Sequence, residues 1–262
     1  MIETIILFVF GILIGSFLNV LGLRWNSGRG IGGRSFCVVC EKSLHWWELV
    51  PVISFVGLRG KCSTCKTKIS WQYPLVELWT GLIFATLAQV FDPTLGVTGL
   101  LSYLLSLAVF CIYIVLVIYD IRHKILPDEL VYAAAIIALL LRFLIGGSVL
   151  DWLSGLILFG FFALIWVLSR GRAMGFGDAK LAVSIGLLLG APAGFSSLAL
   201  AFWVGSVVTL SAMLISRSST LFRGAKGLTM KSEIPFAPFL VIGAWLALIL
   251  HLDLFHVTTL IN

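Results

Sequence analysis

Two aspartates adjoin long apolar stretches of the chain, where a carboxylate is costly. Asp120 follows one apolar run in Tyr-Asp-Ile-Arg-His-Lys-Ile-Leu-Pro-Asp, and Asp178 follows Gly175-Phe-Gly. Two carboxylates that share one water can hydrolyse a peptide bond, because the ionised one takes a proton from the water while the protonated one donates to the scissile carbonyl. A lone aspartate here more often caps a helix or pairs with Arg122, Lys124 or Lys180. Two on one side of a membrane favour the chemistry of an aspartyl peptidase.

The residues around these aspartates suit that arrangement. Pro127 interrupts the helix that ends near Asp120. Gly175 and Gly177, ahead of Asp178, permit backbone conformations and a close approach that a side chain would block. Asp128 directly follows Pro127, so we expect it to be the N-cap of the next helix. It is a secondary candidate for lining the same site.

Four of the five cysteines form two pairs with metal-site spacing. They are Cys37, Cys40, Cys62 and Cys65. Two Cys-x2-Cys turns together offer four thiolates for a tetrahedral metal, most often zinc. Four thiolates leave no open coordination position, so the expected zinc is structural, and replacement of one ligand by His45 is the less favoured alternative. Lys42, Lys61, Lys66 and Lys68 nearby would offset the charge of such a site.

Composition defines the class of protein that must position these groups. The 262 residues are 60% hydrophobic and 11% charged, with a mean hydropathy of +1.09. Soluble chains carry about 25% charged residues, so the chain is an integral membrane protein. We predict an all-α polytopic fold with about eight transmembrane helices. Their expected bounds are 2–23, 74–91, 97–118, 129–146, 149–168, 179–192, 197–215 and 236–252.

The distribution of charge predicts the orientation. All but one of the 18 Lys and Arg residues fall at alternate loops, including the cysteine loop and a polar loop over residues 216–234. Only Arg142 lies near the other side, where short connections such as 191–194 carry no Lys or Arg. The positive-inside rule then places the cysteine loop and Asp120, Asp128 and Asp178 at the cytoplasm, with both termini outside. No nucleic-acid-binding motif accompanies the net charge of +6.

We therefore expect three regions. Residues 1–24 form the first transmembrane helix. Residues 25–73 form a small zinc-binding cytoplasmic loop, and residues 74–262 form a polytopic membrane peptidase domain. At about 45 residues such a loop is too short to bury a sufficient core of its own, so we expect it to depend on the metal to fold.

A series of motifs carries a family resemblance over residues 11–243. The motifs are Gly15-Ser-Phe-Leu-Asn-Val, the paired Cys-x2-Cys, Arg59-Gly-Lys-Cys, Tyr73-Pro-Leu-Val-Glu, the stretch from Asp120 to Pro127, Gly175-Phe-Gly-Asp-Ala-Lys and Ile234-Pro-Phe-Ala-Pro-Phe. In order and spacing they resemble the type IV prepilin peptidases, a family of Gly-x-Gly-Asp membrane aspartyl proteases.

The resemblance implies a bifunctional enzyme of the bacterial cytoplasmic (inner) membrane. Such enzymes cut a basic leader from prepilins or pseudopilins and methylate the new N-terminal residue with S-adenosylmethionine. By matching position, Asp120 and Asp178 are the catalytic dyad. Many members have a second Asp two residues after the first, where this chain has Arg122. Ala237 stands where a glycine is common, which affects local backbone fit.

The methyl-donor site has no glycine-rich fingerprint of a soluble nucleotide-binding fold. Polar residues inside the first two spans are the candidates, with Asn19 and Glu77 as tentative cofactor ligands and Ser16 beside them. Pairing of Glu77 with Arg24 or Lys68 is an equally favoured structural alternative.

Two other classes compete with the enzyme. A transporter with ion-carrying carboxylates would explain acids in the spans, but ion sites lie more often near the midplane between repeated halves, and no repeat is visible. A metal-held assembly scaffold would have no chemistry, so changes at Asp120 and Asp178 would not affect it.

Overall fold

The computed structural model describes residues 2–28, 30, 32–172, 174–218 and 234–255. These residues form eight α-helices, and within the described ranges there is no strand beyond two isolated bridges. The helices are α1 (Ile2–Arg24), α2 (Ile53–Gly57), α3 (Gln72–Val90), α4 (Gly96–His123), α5 (Asp128–Ile145), α6 (Val149–Leu168), α7 (Phe176–Ser218) and α8 (Ala237–Ile249). A four-residue 3₁₀ turn, Trp46–Leu49, precedes α2.

The predicted fold class is confirmed. Each of the eight predicted apolar runs is helical, and two of them lie within α7. In the described part of the chain, α1, α3, α4, α6 and residues 176–214 of α7 are long and apolar enough to cross a membrane, whereas α8 is apolar but shorter. The protein is therefore an all-helical polytopic membrane protein. Most of the predicted polar loop over 216–234 lies outside the described residues.

The predicted connection at residues 191–194 is wrong, because these residues are helical. The break in α7 is one residue, Gly190, whose φ of 77° and ψ of −177° are open essentially only to glycine. Pro192 follows at the start of the second half of α7, where its missing N–H costs no helical hydrogen bond. At this break the backbone hydrogen bonds of the helix are interrupted, and side chains from α5 and α6 bond to the backbone groups that are left without a helical partner. Arg142 donates to the carbonyls of Leu187 and Leu188, and Asp151 accepts from the N–H of Ala191.

The chain divides into two compact units, Met1–Ile118 and Tyr119–Asn262. In the first unit α1 packs on α3 through small residues. A side chain at Gly15 would meet Thr80 at 2.8 Å, and one at Gly81 would meet Ile12 at 2.8 Å. Close backbone approach of this kind holds helices together in lipid. Lipid tails are as apolar as the helix surfaces, so the hydrophobic effect does not drive the helices together there.

The second unit is built around α7. Helices α5, α6 and α8 each pack against it. The unit begins at the last turns of α4, so it contains Asp120 as well as Asp178. Both aspartates of the predicted dyad are therefore positioned by one compact unit.

Candidate active site and metal centre

Asp120 lies in the last turns of α4 and is 5% exposed. One of its carboxylate oxygens, Oδ2, accepts the backbone N–H of Ala237 at 3.2 Å. Ala237 is the first residue of α8, so the N-terminus of that helix points at the carboxylate. The donor is a backbone group, and alanine in place of the common glycine leaves this bond intact.

Asp178 lies in the first turn of α7 and is 7% exposed. The two glycines before it have different roles. A Cβ at Gly177 would meet Leu126 at 3.1 Å, so this glycine allows the segment after α4 to approach α7 closely. Gly175 has no neighbour nearer than 3.9 Å to such a Cβ. Neither glycine has a positive φ, so only the close-approach part of the sequence argument holds, and only at Gly177.

The carboxylates of Asp120 and Asp178 line the same cavity, which has a volume of about 1190 Å³. The second half of α7 and the start of α8 supply apolar wall, including Phe202, Phe236 and Phe239. A cavity of this size accommodates a peptide segment with its side chains. The structure thus brings together the two aspartates that the sequence singled out, although they are far apart along the chain.

Asp128 also lines this cavity, but the N-cap prediction for it is wrong. The N-cap of α5 is Pro127, and Asp128 is the first helical residue. Its carboxylate accepts two bonds from Lys180 Nζ, at 2.7 and 2.8 Å. Lys180 lies two residues after Asp178, yet its ion pair is with Asp128. This pair joins the first turn of α5 to the second turn of α7 at the cavity that Asp128 lines.

The four cysteines come together in the first unit. Their sulfur atoms all lie within 4.8 Å of one another, with Cys37 Sγ 3.7 Å from Cys65 Sγ and Cys40 Sγ 4.0 Å from Cys62 Sγ. Four sulfurs placed about 2.3 Å from one tetrahedral zinc are about 3.8 Å apart, close to the two separations given above, so the cluster could hold such an ion. His45 is outside this group of ligands, in agreement with the sequence argument.

The thiols of this cluster differ in acidity. The Thr67 hydroxyl, 3.3 Å from Cys65 Sγ, lowers the pKa of Cys65 to about 6. The backbone N–H of Lys42 favours the Cys40 thiolate, but burial and the neighbouring thiols raise the pKa of Cys40 to about 11. Thiols this close hinder one another's ionisation, so a bound cation is what would hold all four as thiolates.

A buried carboxylate in the cysteine loop was missed by sequence reasoning. Glu48 is 6% exposed and accepts from the Ser63 hydroxyl, from the His45 N–H at 2.7 Å and from Lys42 Nζ at 3.4 Å. It therefore ties the stretch after the first cysteine pair to the second pair. The Ser63 hydroxyl, the His45 N–H and Lys42 hold the pKa of Glu48 below its usual range. Lys42, expected to offset the cysteine cluster, is engaged by Glu48 instead.

Asn19 and Glu77 belong to the first unit, whereas the two aspartates of the predicted dyad belong to the second. Asn19 is fully buried, and its Nδ2 donates to the carbonyls of Gly15 and Tyr73, both at 3.3 Å. Its Oδ1 is buried and has no hydrogen-bond partner among the residues that the structure describes. Because both neighbours are carbonyls, the amide nitrogen must face them and the unpartnered atom is an acceptor.

Glu77 has a partner that sequence reasoning did not find. Its Oε2 accepts the N–H of Val52 at 2.8 Å. Val52 has a φ of 60° and a ψ of −51°, and the N–H of Ile53 donates to the Pro51 carbonyl at 2.6 Å. This is a strained three-residue turn for a β-branched residue. Glu77 stabilises it by satisfying the N–H at its centre.

These features define a polytopic membrane protein with two buried aspartates in one cavity and, on a loop, a cluster of four cysteines that could hold a metal ion. Comparison with known families finds two matches: residues 9–91 match the bacterial peptidase A24 N-terminal domain and residues 107–210 match the type IV leader peptidase family.

Comparison with individual proteins agrees. A prepilin leader peptidase/N-methyltransferase of Stutzerimonas stutzeri is 33% identical over 92% of this chain and 88% of its own length. A protein of the same description in Bacillus subtilis (strain 168) is 30% identical over 92% of this chain and 92% of its own length. Another, in Neisseria gonorrhoeae, is 29% identical over 91% of this chain and 87% of its own length. No solved structure is significantly similar. The chain belongs to the type IV leader peptidase family.

Proposed function

We propose that this enzyme cleaves the basic leader peptide from type IV prepilins and pseudopilins, with Asp120 and Asp178 as its catalytic dyad. The observation that carries this proposal is that both carboxylates are buried and line one cavity. Membership of a peptidase family supports the enzyme over the transporter and scaffold alternatives.

The dyad accounts for hydrolysis without any other group. One carboxylate is ionised and removes a proton from a water molecule, whose oxygen attacks the scissile carbonyl carbon. The other carboxylate is protonated and donates to the carbonyl oxygen. Collapse of the tetrahedral intermediate breaks the C–N bond as a proton passes to the leaving amine. The bond from the Ala237 N–H fixes the orientation of the Asp120 carboxylate during these steps.

The cavity suits a substrate that is polar at one end and apolar at the other. A prepilin has a cationic leader followed by an apolar helix, so its cleavage site lies at a membrane boundary. The aspartates occur where α4 ends and α7 begins, and the apolar wall continues along α7 and α8. The excess of Lys and Arg in alternate loops supports a cytoplasmic position for this end and outside positions for both termini.

The metal site has a structural role in this proposal. Cys37, Cys40, Cys62 and Cys65 would hold zinc, which supplies four bonds that fix the loop and no open position for catalysis. We propose that residues 25–73 act as a metal-held loop domain within the methyltransferase region, between the first helix (1–24) and a peptidase region over 74–262.

Methylation of the new N-terminus is the second proposed activity, and the names of the relatives support it. When bound, S-adenosylmethionine supplies an electrophilic methyl group. Asn19 and Glu77 are the candidate ligands. The buried Oδ1 of Asn19 fits a hydrogen-bond donor of the cofactor or of the peptide amine, while Glu77 also supports the turn at Val52.

Intact mass spectrometry tests both activities on one protein. Purified enzyme is incubated with a synthetic prepilin, with and without S-adenosylmethionine. The proposal predicts loss of the leader in both samples and a gain of about one methyl group only with the cofactor. Uncleaved prepilin would contradict the peptidase proposal. Asn19→Ala should retain cleavage and lose the methyl gain, and full methylation in that variant would remove Asn19 from the cofactor site.

A further inference from the structure

A short uncharged segment interrupts the otherwise polar cysteine loop. Residues 49–58 read Leu-Val-Pro-Val-Ile-Ser-Phe-Val-Gly-Leu, with no Asp, Glu, Lys or Arg. Even if wholly helical it would extend only about 15 Å, half the hydrocarbon thickness of a bilayer. Runs of this length either are buried in a protein core or lie at a membrane interface.

Burial in a core is excluded by the exposure of this segment. Ile53 is 70% exposed and Val56 is 68% exposed. They are three residues apart in α2, so they share one face of it. Phe55, between them, packs against Trp71 with ring centroids 4.9 Å apart. The helix thus uses one side to attach to the start of α3 and has an apolar side that none of the described residues covers.

A hydrogen bond to α3 places the segment at the level of the second turn of that helix. Val52, immediately before α2, donates its N–H to Glu77. Glu77 is five residues inside α3, about 7.5 Å along the helix from Gln72. Because α3 is long and apolar enough to span the membrane, the head of α2 lies beside the second turn of a membrane helix.

The residues on either side of this segment are of types found at the membrane interface. Trp71 is the N-cap of α3 and is 70% exposed, and tryptophan is enriched where membranes meet water. Arg59 and Lys61 follow the apolar segment directly, and cations at this level attract the phosphates of lipid headgroups.

We propose that residues 49–58 are an interfacial membrane segment, with Ile53 and Val56 covered by lipid at the boundary between headgroups and acyl chains. The cysteine loop is then attached to the bilayer surface through its own side chains as well as through α1 and α3. This inference does not depend on the peptidase chemistry.

Spin labels read the surroundings of each side chain directly. The label is introduced as a click-reactive unnatural amino acid, because the native cysteines belong to the metal site. It is placed singly at Ile53 and Val56, and at Ser43 and Lys68 as exposed control positions on the same loop. The full-length protein is studied in lipid nanodiscs with oxygen as the lipid-soluble relaxation agent and nickel-EDDA as the water-soluble one.

We expect oxygen to relax labels at 53 and 56 more strongly than nickel-EDDA, with the reverse order at 43 and 68. Stronger relaxation by nickel-EDDA at 53 and 56 would overturn the proposal by showing that they face water. Protection from both agents would also overturn it, because the face would then be covered by protein. Native α-helical circular dichroism and metal content of each labelled variant show that it is folded.

Discussion

Substitution of Gly190 by alanine tests the structural account most sharply outside the active site. Gly190 interrupts α7 with backbone angles that are open essentially only to glycine. An added Cβ would lie 2.6 Å from Asp151 Oδ1 and 3.1 Å from an Arg142 guanidinium nitrogen. The variant must therefore change the backbone and displace the side chains that cap both halves of the broken helix.

The expected cost is the sum of two effects. Placing alanine in this conformation costs about 1–3 kcal/mol. Displacing Asp151 leaves the N–H of Ala191 without its 2.8 Å partner, and an unsatisfied buried group costs about 1–3 kcal/mol. The Gly190→Ala variant should therefore lose roughly 2–6 kcal/mol of the free energy of unfolding.

Gly194→Ala is the matched control, four residues later in the same helix. A Cβ there meets Leu158 at 3.6 Å, an ordinary contact, and its φ is not in the left-handed region. Removing a helical glycine should be neutral or stabilising by up to about 1 kcal/mol. Unfolding in mixed micelles of sodium dodecyl sulfate, followed by circular dichroism, measures both. Equal stability of the two variants would refute the reasoning about the break.

Three further predictions concern the loop and the edge of the cavity. The pKa of Glu48 is held below its usual value of 4.5, so the stability that the ionised Glu48 adds to the loop is present above pH 4.5 and is lost as the pH falls through the lower pKa of the folded state. The difference in thermal midpoint between wild type and Glu48→Gln should therefore shrink as the pH falls through that window. A difference that stays constant would contradict this prediction. Cys40→Ser should lower the zinc content from one per chain and expose the loop to protease; unchanged metal and protection would argue against the four-cysteine site. In the ion pair of Asp128 and Lys180, about half of the Asp128 side chain is exposed to solvent. A double-mutant cycle with Asp128→Asn and Lys180→Met should therefore give a coupling free energy of about 0–1 kcal/mol. A coupling above about 2 kcal/mol would show that the pair is far less solvated than the structure indicates.

Local patterns were sufficient to predict much of this protein. The apolar runs gave the helices because a helix in lipid must satisfy its own backbone bonds. Asp120 and Asp178 stood out because each is costly near hydrocarbon, and the structure places both in one cavity. The four cysteines were identified by spacing alone and meet in one cluster.

The remaining features depend on contacts between distant residues. Nothing near Gly190 in the sequence shows that Arg142 and Asp151 cap its break, so the sequence indicated a connection at 191–194. The bonds of Glu48 to Ser63 and of Glu77 to Val52 join residues 15 and 25 positions apart. An acidic residue in an apolar stretch marks a special site, but its sequence does not say which N–H or hydroxyl it will meet.

Cleavage of a synthetic prepilin by aspartate variants tests the central claim most directly. Asp120→Asn and Asp178→Asn each keep the size of the side chain while removing its acid–base function, and Asp128→Asn is the control from the same cavity. If Asp120 and Asp178 are the catalytic dyad, Asp120→Asn and Asp178→Asn should each remain folded and release no leader, whereas Asp128→Asn should still cleave. Leader release by either Asp120→Asn or Asp178→Asn at a rate near wild type would contradict the assignment of the dyad.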